Sequence, residues 1–433
     1  MADPGEEGVV ALIGEPLDLS FVIPTLNEAK NVQELLPELH RVAKALDLRY
    51  EILVIDGRSS DGTADAARAL GARALNVPGG YGDAIRAGIR EARGAYLLTL
   101  DADMSHDPAV VSRLWAVRDP LVIGIASRYV RGGSTSAHPV RDVLSRILNK
   151  VYARGLSMSV RDLSSGFRIY PTASVRQLVL TASDFDVLPE ILVRAYCAGW
   201  RVVEVPFEYR PRRSGSSKAR VALFAVAYAR TLGRLWRLRN SIDAADYDER
   251  AFDSVVPLQR YWQRRRHGII TVAARDGGRV LDVGCGSSRI LRDLGNAVGL
   301  DIGLDRLRYM SRYSLPLVQG SIFALPFQTS SFDTVVCSEV IEHIPADGVV
   351  FRELARVHRT GGTLVLGTPD YGRRSWRVIE GAYRIAAPGG YADEHITHYT
   401  HGPLRSLIVA LGYRHVRSEY VLGSEMILTF EKL

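Results

Sequence analysis

The chain has 433 residues, of which 47% are hydrophobic and 24% charged, a composition typical of a soluble globular protein with two domains. Its three cysteines, Cys197, Cys285 and Cys337, are widely scattered, which excludes a disulfide framework and a cysteine-rich zinc site and fits a reducing cytoplasm. The net charge of +7 favours anionic partners, but no helix-turn-helix, zinc-finger or aromatic RNA-binding signature accompanies it, so nucleic acid is not an expected partner.

The N-terminal residues and the apolar runs bear on membrane attachment. The first ten residues, MADPGEEGVV, lack the basic region of a signal peptide. No apolar run approaches the roughly 20 residues that cross a bilayer. Residues 201–240 nevertheless contain ten basic and two acidic side chains, which would be attracted to an anionic surface. We therefore predict a cytoplasmic protein without a transmembrane segment, peripheral at the inner face of the membrane.

Strands alternate with helical patterns from about residue 17 to about residue 210. This alternation predicts an α/β unit with a mostly parallel sheet and helices on both faces. Where the apolar run Ala95 to Leu100 ends, the chain continues with DADMSH, Asp101 to His106. Residues i and i+2 of an extended segment point the same way, so Asp101 and Asp103 could share one hard cation. A solvated Asp-rich turn is the alternative for this motif taken alone.

Six further segments accompany this motif, three upstream and three downstream. They are FVIPTLNEAKNV from Phe21, YEILVIDGRSSDGTAD from Tyr50, GGYGDAIRAGI from Gly79, SRYVRGG from Ser127, RDLSSGFRIYP from Arg161 and RRSGSSK from Arg212. Together they resemble the dolichol-phosphate mannose synthase branch of the family 2 glycosyltransferases. The resemblance implies a GT-A-type nucleotide-sugar-binding domain, over residues 17–240.

The resemblance also implies roles for individual residues. The nucleotide-sugar site it implies comprises Pro24, Thr25, Asn27, Glu28, Asp56, Asp101, Ala102, Asp103 and Arg128. It implies a divalent cation, Mg²⁺ or Mn²⁺, on Asp103 and Asp101, with Ser105 where much of the family has Gln. At Gly57 this chain departs from the family's usual Asp-Asp-Gly-Ser, so only Asp56 keeps its role there.

Basic residues of the downstream segments suit a phosphate. Arg128, Arg168, Arg212 and Lys218 match the family's cationic positions, and together with Asp101 and Asp103 they are the predicted catalytic set. The Glu-Asp pair that often deprotonates a sugar hydroxyl is missing from the expected region. A phosphate monoester needs no such base, which favours a polyprenyl or dolichyl phosphate acceptor. Asp184 or Asp186 as the base for a hydroxyl acceptor is the open alternative.

The segment between the two halves is predicted to be a helix followed by a linker. Ala219 to Arg239 is amphipathic, which suits either the interfacial plane of an anionic membrane or packing at a domain junction. The polar and acidic residues 241–248 are interpreted as the linker. A second α/β domain is predicted over residues 245–433.

The second half opens its first strand with RVLDVGCGSSRI from Arg279, followed by VGLDI, SFDTVVCSEVIEHI and RTGG. This order resembles the class I S-adenosylmethionine-dependent methyltransferases, which have a Rossmann-like sheet. Asp301 ends an apolar run and is suited to ribose hydroxyls. The cofactor-binding residues that the resemblance implies are Asp282, Gly284, Cys285, Gly286, Asp301, Ser321, Ile322 and Ser338.

Histidines on the substrate side of this half are weaker candidates for catalysis. His343 could be a general base for a hydroxyl, or a capping or packing histidine. His395 and His398 form an HxxH spacing, which alone does not make a metal site.

The sequence therefore predicts a bifunctional enzyme. The first half transfers a mannose- or glucose-type sugar from a nucleotide-sugar to a polyprenyl phosphate at the membrane surface. The second transfers a methyl group from S-adenosylmethionine to an unidentified acceptor, which could be the sugar product. The alternatives are a glycosyltransferase acting on a soluble hydroxyl acceptor and a membrane-associated scaffold whose second domain binds its cofactor but is inactive.

Overall fold

The computed structural model describes residues 16–210, 221–275, 278–386 and 395–433. They form two compact units. One comprises the described residues up to Leu192 together with Arg201–Leu232, and the other comprises Val193–Trp200 and the described residues from Gly233 to Leu433. Each unit has its own seven-stranded sheet with helices, so the predicted class of two α/β domains is confirmed.

The first part of the chain contains nine strands and eight helices among its described residues. In chain order they are β1 (Leu19–Thr25), α1 (Ala29–Ala45), β2 (Tyr50–Asp56), α2 (Thr63–Ala69), β3 (Arg73–Asn76), α3 (Tyr81–Glu91), β4 (Tyr96–Thr99), α4 (Val111–Ala116), β5 (Val122–Ser127), β6 (Ser134–Thr135), α5 (Pro139–Gly155), β7 (Arg168–Pro171), α6 (Thr172–Val175), α7 (Val187–Cys197), β8 (Arg201–Pro206), β9 (Glu208–Tyr209) and α8 (Val221–Arg239).

The first sheet brings the loops of the predicted sugar site to one edge. Its strand order is β3-β2-β1-β4-β7-β5-β8. Strands β1, β2 and β4 are parallel, with Thr25 opposite Asp56, so their carboxyl ends meet at the same edge. Strand β7 is antiparallel to both of its neighbours, which makes the sheet mixed. Alternate residues of β1 and side chains of α1, such as Leu35 and Leu39, form the core on one face.

The remaining elements are the strands of the second sheet and the helices of the second part of the chain. They are α9 (Tyr247–Phe252), α10 (Pro257–Ala274), β10 (Val280–Val283), α11 (Arg289–Asp293), β11 (Ala297–Asp301), α12 (Leu304–Met310), β12 (Leu317–Gln319), β13 (Phe332–Ser338), α13 (Gly348–Val357), β14 (His358–Pro369), α14 (Arg374–Ala386), α15 (His401–Ala410), β15 (Tyr413–Val421) and β16 (Glu425–Lys432). The strand order is β12-β11-β10-β13-β14-β16-β15, with β16 antiparallel to its neighbours.

The interpretation of residues 241–248 as a linker is wrong. Ile242, Ala244 and Ala245 are buried, and Asp246 forms a buried salt bridge with Arg239. Burial of apolar side chains and of an ion pair requires a fixed conformation, so these residues are an integral part of the second unit.

No helix of the described residues is both long enough and apolar enough to cross a bilayer.

Candidate active sites

A cavity of about 410 Å³ lies at the carboxyl edge of the first sheet. Seven of the residues predicted for the sugar site line it: Pro24, Thr25, Glu28, Asp101, Ala102, Asp103 and Arg128. The cavity therefore gathers side chains from the ends of β1, β4 and β5, as expected for parallel strands whose loops share one edge.

Asp101 and Asp103 reach this cavity through a bend. Strand β4 ends at Thr99, and Met104 has a left-handed φ of 60°. The two side chains consequently differ: Asp101 is about one-third exposed, whereas Asp103 is 3% exposed as a residue and accepts a hydrogen bond from the Ser105 amide. Ser105 itself is buried, and its hydroxyl has no partner among the described residues.

His106 supports this loop and was not predicted from the sequence. Its Nδ1 accepts a hydrogen bond from the Asp101 amide at 3.0 Å, and its ring stacks on Phe167. Burial lowers the pKa of His106 despite the nearby Asp101 and Asp103 carboxylates, so the ring is neutral at pH 7.

Arg128 is the one basic side chain that lines the cavity among the described residues, against four carboxylates, those of Glu28, Asp101, Asp103 and Asp184. Its guanidinium donates to both oxygens of Asp162, at 2.8 and 2.7 Å. Burial raises the pKa of Asp162, but the hydrogen bonds and charge of Arg128 outweigh it and leave that pKa lowered. The pair is therefore ionised, and the cavity keeps an excess of negative charge.

Asp56 and Asn27 connect the loops beside the cavity. The Asp56 carboxylate accepts hydrogen bonds from the Thr25 hydroxyl at 3.1 Å and from the Ser59 amide at 2.9 Å. The Asn27 side-chain oxygen accepts one from the Ser60 amide. Both side chains thus hold the two loops that follow β1 and β2 together, and neither lines the cavity in this structure.

The predicted phosphate contact of Arg168 needs correction. Its side chain is fully buried, and its guanidinium donates to the backbone carbonyls of Ser165, Leu188 and Leu163. A guanidinium occupied in this way fixes the loop rather than a ligand. Arg212 and Lys218 lie outside the described residues.

An aromatic wall of the cavity was also missed, whereas the carboxylate beside it, Asp184, is one of the two side chains considered above as a base for a hydroxyl acceptor. Tyr81 stacks on Phe185 with ring centroids 4.2 Å apart, and Tyr209 lines the same cavity. Asp184 lies beside Phe185. Burial, followed by the charges of Asp186 and Asp83, raises the pKa of Asp184. Aromatic side chains spaced along a sequence carry no signal of convergence, because core positions use the same residue types.

A second cavity, of about 330 Å³, lies at the carboxyl edge of the second sheet. All eight predicted cofactor residues line it: Asp282, Gly284, Cys285, Gly286, Asp301, Ser321, Ile322 and Ser338. They come from the ends of β10, β11 and β13 and from the loop after β12.

The turn after β10 requires glycine. Gly284 and Gly286 have φ values of 70° and 52°, which other residues adopt at a cost. A Cβ on Gly284 would lie 2.3 Å from a methyl carbon of Val340. The turn can therefore bring backbone close to a ligand only in this glycine-rich form.

Asp282 is a buried carboxylate that faces this cavity. Its Oδ2 has no partner among the described residues. Burial, followed by the charges of Asp301 and Asp248, raises the pKa of Asp282 to about 7. A cationic group in the cavity would pair with it, which is the chemistry that an ammonium group supplies.

Asp301, Asp248 and Glu339 are the other carboxylates that line the cavity, beside Arg266 and Arg306. Asp301 accepts hydrogen bonds from the amides of Gly286 at 2.9 Å and Gly303 at 2.7 Å. Asp248 accepts one from the Ser287 amide at 3.2 Å. Since Asp248 lies in the segment interpreted as a linker, its place in this site was not predicted.

The predicted histidines separate into two groups. His343 lines the second cavity, whereas His398 stacks on Tyr371 with ring centroids 3.9 Å apart.

Burial, followed by the charge of Glu339, raises the pKa of Glu342 well above its ordinary range. Burial, followed by the charge of His343, lowers the pKa of His395 to about 4.

Two family models match the chain. Residues 20–179 match the glycosyl transferase family 2 model, and residues 281–366 match a methyltransferase domain model. Each match covers the strands whose carboxyl ends form one of the two cavities.

Curated relatives are similar to the first part of the chain. A dolichol-phosphate mannosyltransferase from Pyrococcus furiosus is 31% identical over 52% of this chain and 66% of that protein, so the chain spans slightly less than two thirds of its length. A polyprenol monophosphomannose synthase from Mycolicibacterium smegmatis is 34% identical over 51% of this chain and 90% of that protein. Among solved structures, glucosyl-3-phosphoglycerate synthase from Mycobacterium tuberculosis, in complex with Mn²⁺ and UDP, is 17% identical over 52% of this chain and 80% of that chain, with a TM-score of 0.41.

Proposed function

Because the chain belongs to the family 2 glycosyltransferases and carries a methyltransferase domain, we propose that it glycosylates a polyprenyl phosphate and methylates an acceptor with S-adenosylmethionine. The donor of the first reaction is a nucleotide-sugar of the mannose or glucose type. The observation that carries the first half is the cavity at the carboxyl edge of the first sheet, with its four carboxylates and Arg128.

A divalent cation is needed to place a diphosphate in this cavity. Four carboxylates and one arginine repel an anionic ligand unless positive charge is added. Carboxylate and hydroxyl oxygens are the ligands that Mg²⁺ and Mn²⁺ prefer. Asp103 with Asp101 would hold the ion, and the buried Ser105 hydroxyl is a further oxygen of this loop that lacks a partner among the described residues. The bound ion would neutralise the leaving diphosphate.

Two acceptor classes fit the cavity differently. A phosphate monoester is already ionised and can use Arg128 without a base. A hydroxyl acceptor would need one, and Asp184, with its raised pKa, is the side chain that favours this second candidate. The test is a donor screen on the full chain with polyprenyl phosphate and with the dephosphorylated alcohol, read by mass spectrometry. Equal transfer to the alcohol would favour the hydroxyl acceptor.

A lipid acceptor requires a membrane-facing surface, and helix α5 supports one. Five apolar side chains on one face of α5 are between 48% and 62% exposed: Val140, Val143, Leu144, Ile147 and Val151. Arg146, Lys150 and Arg154 are exposed on the same helix. An apolar stripe flanked by basic side chains suits the interface of an anionic bilayer.

Vesicle flotation tests this surface. Leu144→Asp and Ile147→Asp should each weaken binding of the full chain to anionic phospholipid vesicles at least tenfold, because each removes a contact worth about 1.5 kcal/mol or more. Val179→Asp is the matched control, since Val179 is 70% exposed and lies outside α5. Equal flotation of all three variants would contradict the assignment of α5.

The second cavity supports S-adenosylmethionine as the methyl donor. Its glycine turn, the partnerless Asp282 oxygen and Asp301 fit the amino-acid end and the ribose of that cofactor. The bound cofactor supplies an electrophilic methyl group. We propose the sugar product of the first reaction as the methyl acceptor. Because both activities lie on one chain, the product of the first domain is present at a high effective concentration near the second. Full-length protein given both donors and polyprenyl phosphate should yield a product about 14 mass units heavier than without the methyl donor.

A further inference from the structure

Three metal-ligand side chains converge beside the second cavity, outside the residues assigned to the cofactor. Glu342 and His343 belong to a short 3-10 helix, Ile341–His343, that follows β13. His395 comes from the chain segment before α15. One ligand atom from each of the three lies within 4.8 Å of the others, and the two imidazole centroids are 5.0 Å apart.

Backbone hydrogen bonds hold this arrangement. The Glu342 carbonyl accepts from the amides of Ile396 at 2.8 Å and Thr397 at 3.0 Å. The Thr397 hydroxyl donates to the Ile344 carbonyl at 2.6 Å. Because these bonds fix two chain segments that are far apart in sequence, the convergence does not depend on side-chain rotamers alone.

A second layer of contacts sets the tautomer of His395. The Tyr371 hydroxyl donates to Glu380 at 3.3 Å, which leaves its oxygen to accept from His395 Nδ1 at 2.7 Å. With the Tyr371 hydroxyl donating to Glu380, the proton is assigned to Nδ1, and Nε2 then carries a lone pair. That Nε2 is buried and has no partner among the described residues. An outer partner on one ring nitrogen and a free lone pair on the other is the usual state of a metal-binding histidine.

Glu342, like His395, has a buried polar atom without a hydrogen-bond partner among the described residues. It is fully buried, and its Oε2 accepts a hydrogen bond from the Thr368 hydroxyl at 3.1 Å. Its Oε1 is buried without a partner in the part of the chain that the structure describes. A buried carboxylate oxygen that makes no bond is costly, and a cation that also binds His395 removes both deficits.

We propose that Glu342, His343 and His395 bind a divalent first-row transition-metal ion, of which Zn²⁺ is the best match. Two imidazoles and one carboxylate suit zinc or iron(II), whereas Mg²⁺ prefers oxygen ligands. Tetrahedral zinc separates its ligand atoms by roughly 3.4 Å, so the side chains close by about an ångström on binding. This site goes beyond the proposed function, since neither group transfer requires an ion there.

The proposed metal site adjoins the second cavity through one of its three ligands. His343 is both a ligand and a lining residue of that cavity. Three protein ligands leave one position for an oxygen of a small molecule. The ion would therefore polarise an acceptor oxygen next to the methyl donor, which makes a hydroxyl-bearing acceptor the class it selects.

Cobalt substitution on the full chain tests the site without measuring activity. The chelator-stripped protein is titrated with Co²⁺ in excess Mg²⁺, which occupies oxygen-only sites. We expect one Co²⁺ per chain with visible absorption bands that Zn²⁺ displaces. His395→Ala and Glu342→Gln should each weaken Co²⁺ binding at least tenfold, with thermal melting confirming that both variants fold.

His398→Ala is the matched control, because His398 shares the HxxH spacing but lies outside the three-residue cluster. It should bind Co²⁺ like the unmodified chain. The proposal is overturned if the folded chain binds no stoichiometric Co²⁺, or if His395→Ala binds it as tightly as His398→Ala. Since the readout is metal binding, a failure of methyl transfer would not produce either result.

Discussion

The raised pKa of Asp282 predicts that cofactor binding depends on pH. With a pKa of about 7 in the free protein, Asp282 is mostly neutral at pH 5.5 and half ionised at pH 7. Only the carboxylate attracts the ammonium group of S-adenosylmethionine, which stays protonated over this range because an α-amino group has a pKa of about 8. The ionised fraction rises from about 0.03 to about 0.5, so affinity should increase about 16-fold, or about 1.6 kcal/mol.

Titration calorimetry measures this change and gives an independent check. At pH 6 about 0.9 proton should be released per cofactor bound, seen as a dependence of the binding enthalpy on buffer ionisation. Asp282→Asn keeps the side-chain shape but cannot titrate, so its affinity should be lower and its pH profile flatter. Asp301, Asp248, Glu339 and His343 line the same cavity, beside Arg266 and Arg306, and any slope left in the variant belongs to these other groups. Identical slopes in both proteins, or binding without proton release, would refute the reasoning.

Three further predictions concern the first cavity and the buried ion pair of the second unit. Asp103→Asn should lower the rate of sugar transfer at least 100-fold with an unchanged melting temperature, because weaker binding of the metal ion removes several kcal/mol of transition-state stabilisation. Near-normal turnover in a steady-state assay would contradict the metal assignment. Asp184→Asn should change turnover with polyprenyl phosphate by less than about threefold, whereas loss of a general base costs 10²–10⁴-fold; a loss of that size would identify a hydroxyl acceptor. Arg239→Met should destabilise the chain by roughly 3 kcal/mol in urea unfolding because it leaves Asp246 buried with less compensation, while exposed Arg237→Met should not; equal midpoints would show that the buried pair contributes little.

The sequence anticipated the parts of both sites that lie at strand ends. All eight predicted cofactor residues line the second cavity, because a glycine turn and a strand-terminal acid have a fixed relation within one βαβ unit. The ends of β1 and β4 were found for the same reason. The two-domain α/β fold also follows from local alternation of strands and helices, which needs no long-range information.

Long-range placement explains what was missed. Arg168 was predicted to contact phosphate because it matches one of the family's cationic positions, but the carbonyls of Leu163 and Ser165 in one loop and of Leu188 in α7 accept hydrogen bonds from its guanidinium. Residues 241–248 looked like a linker because they are polar and acidic, yet Asp246 finds Arg239 and Asp248 reaches the cofactor cavity. The sequence does not show whether a charged residue is solvated or buried, because that depends on where the fold places its partner.

The two cavities meet opposite electrostatic demands with the same residue type. In the first, four carboxylates line the cavity proposed for an anionic diphosphate, so the diphosphate would bind favourably only together with a cation. The second cavity is lined by Asp282, Asp301, Asp248 and Glu339 together with Arg266 and Arg306, and its proposed ligand carries a sulfonium and an ammonium group, to which the carboxylates would supply the complementary charge. Transfer of the methyl group removes the sulfonium charge, and the attraction to this acidic cavity then falls. Under the proposed function, these carboxylates would bind the methyl donor more tightly than the spent cofactor and so would favour release of the spent cofactor.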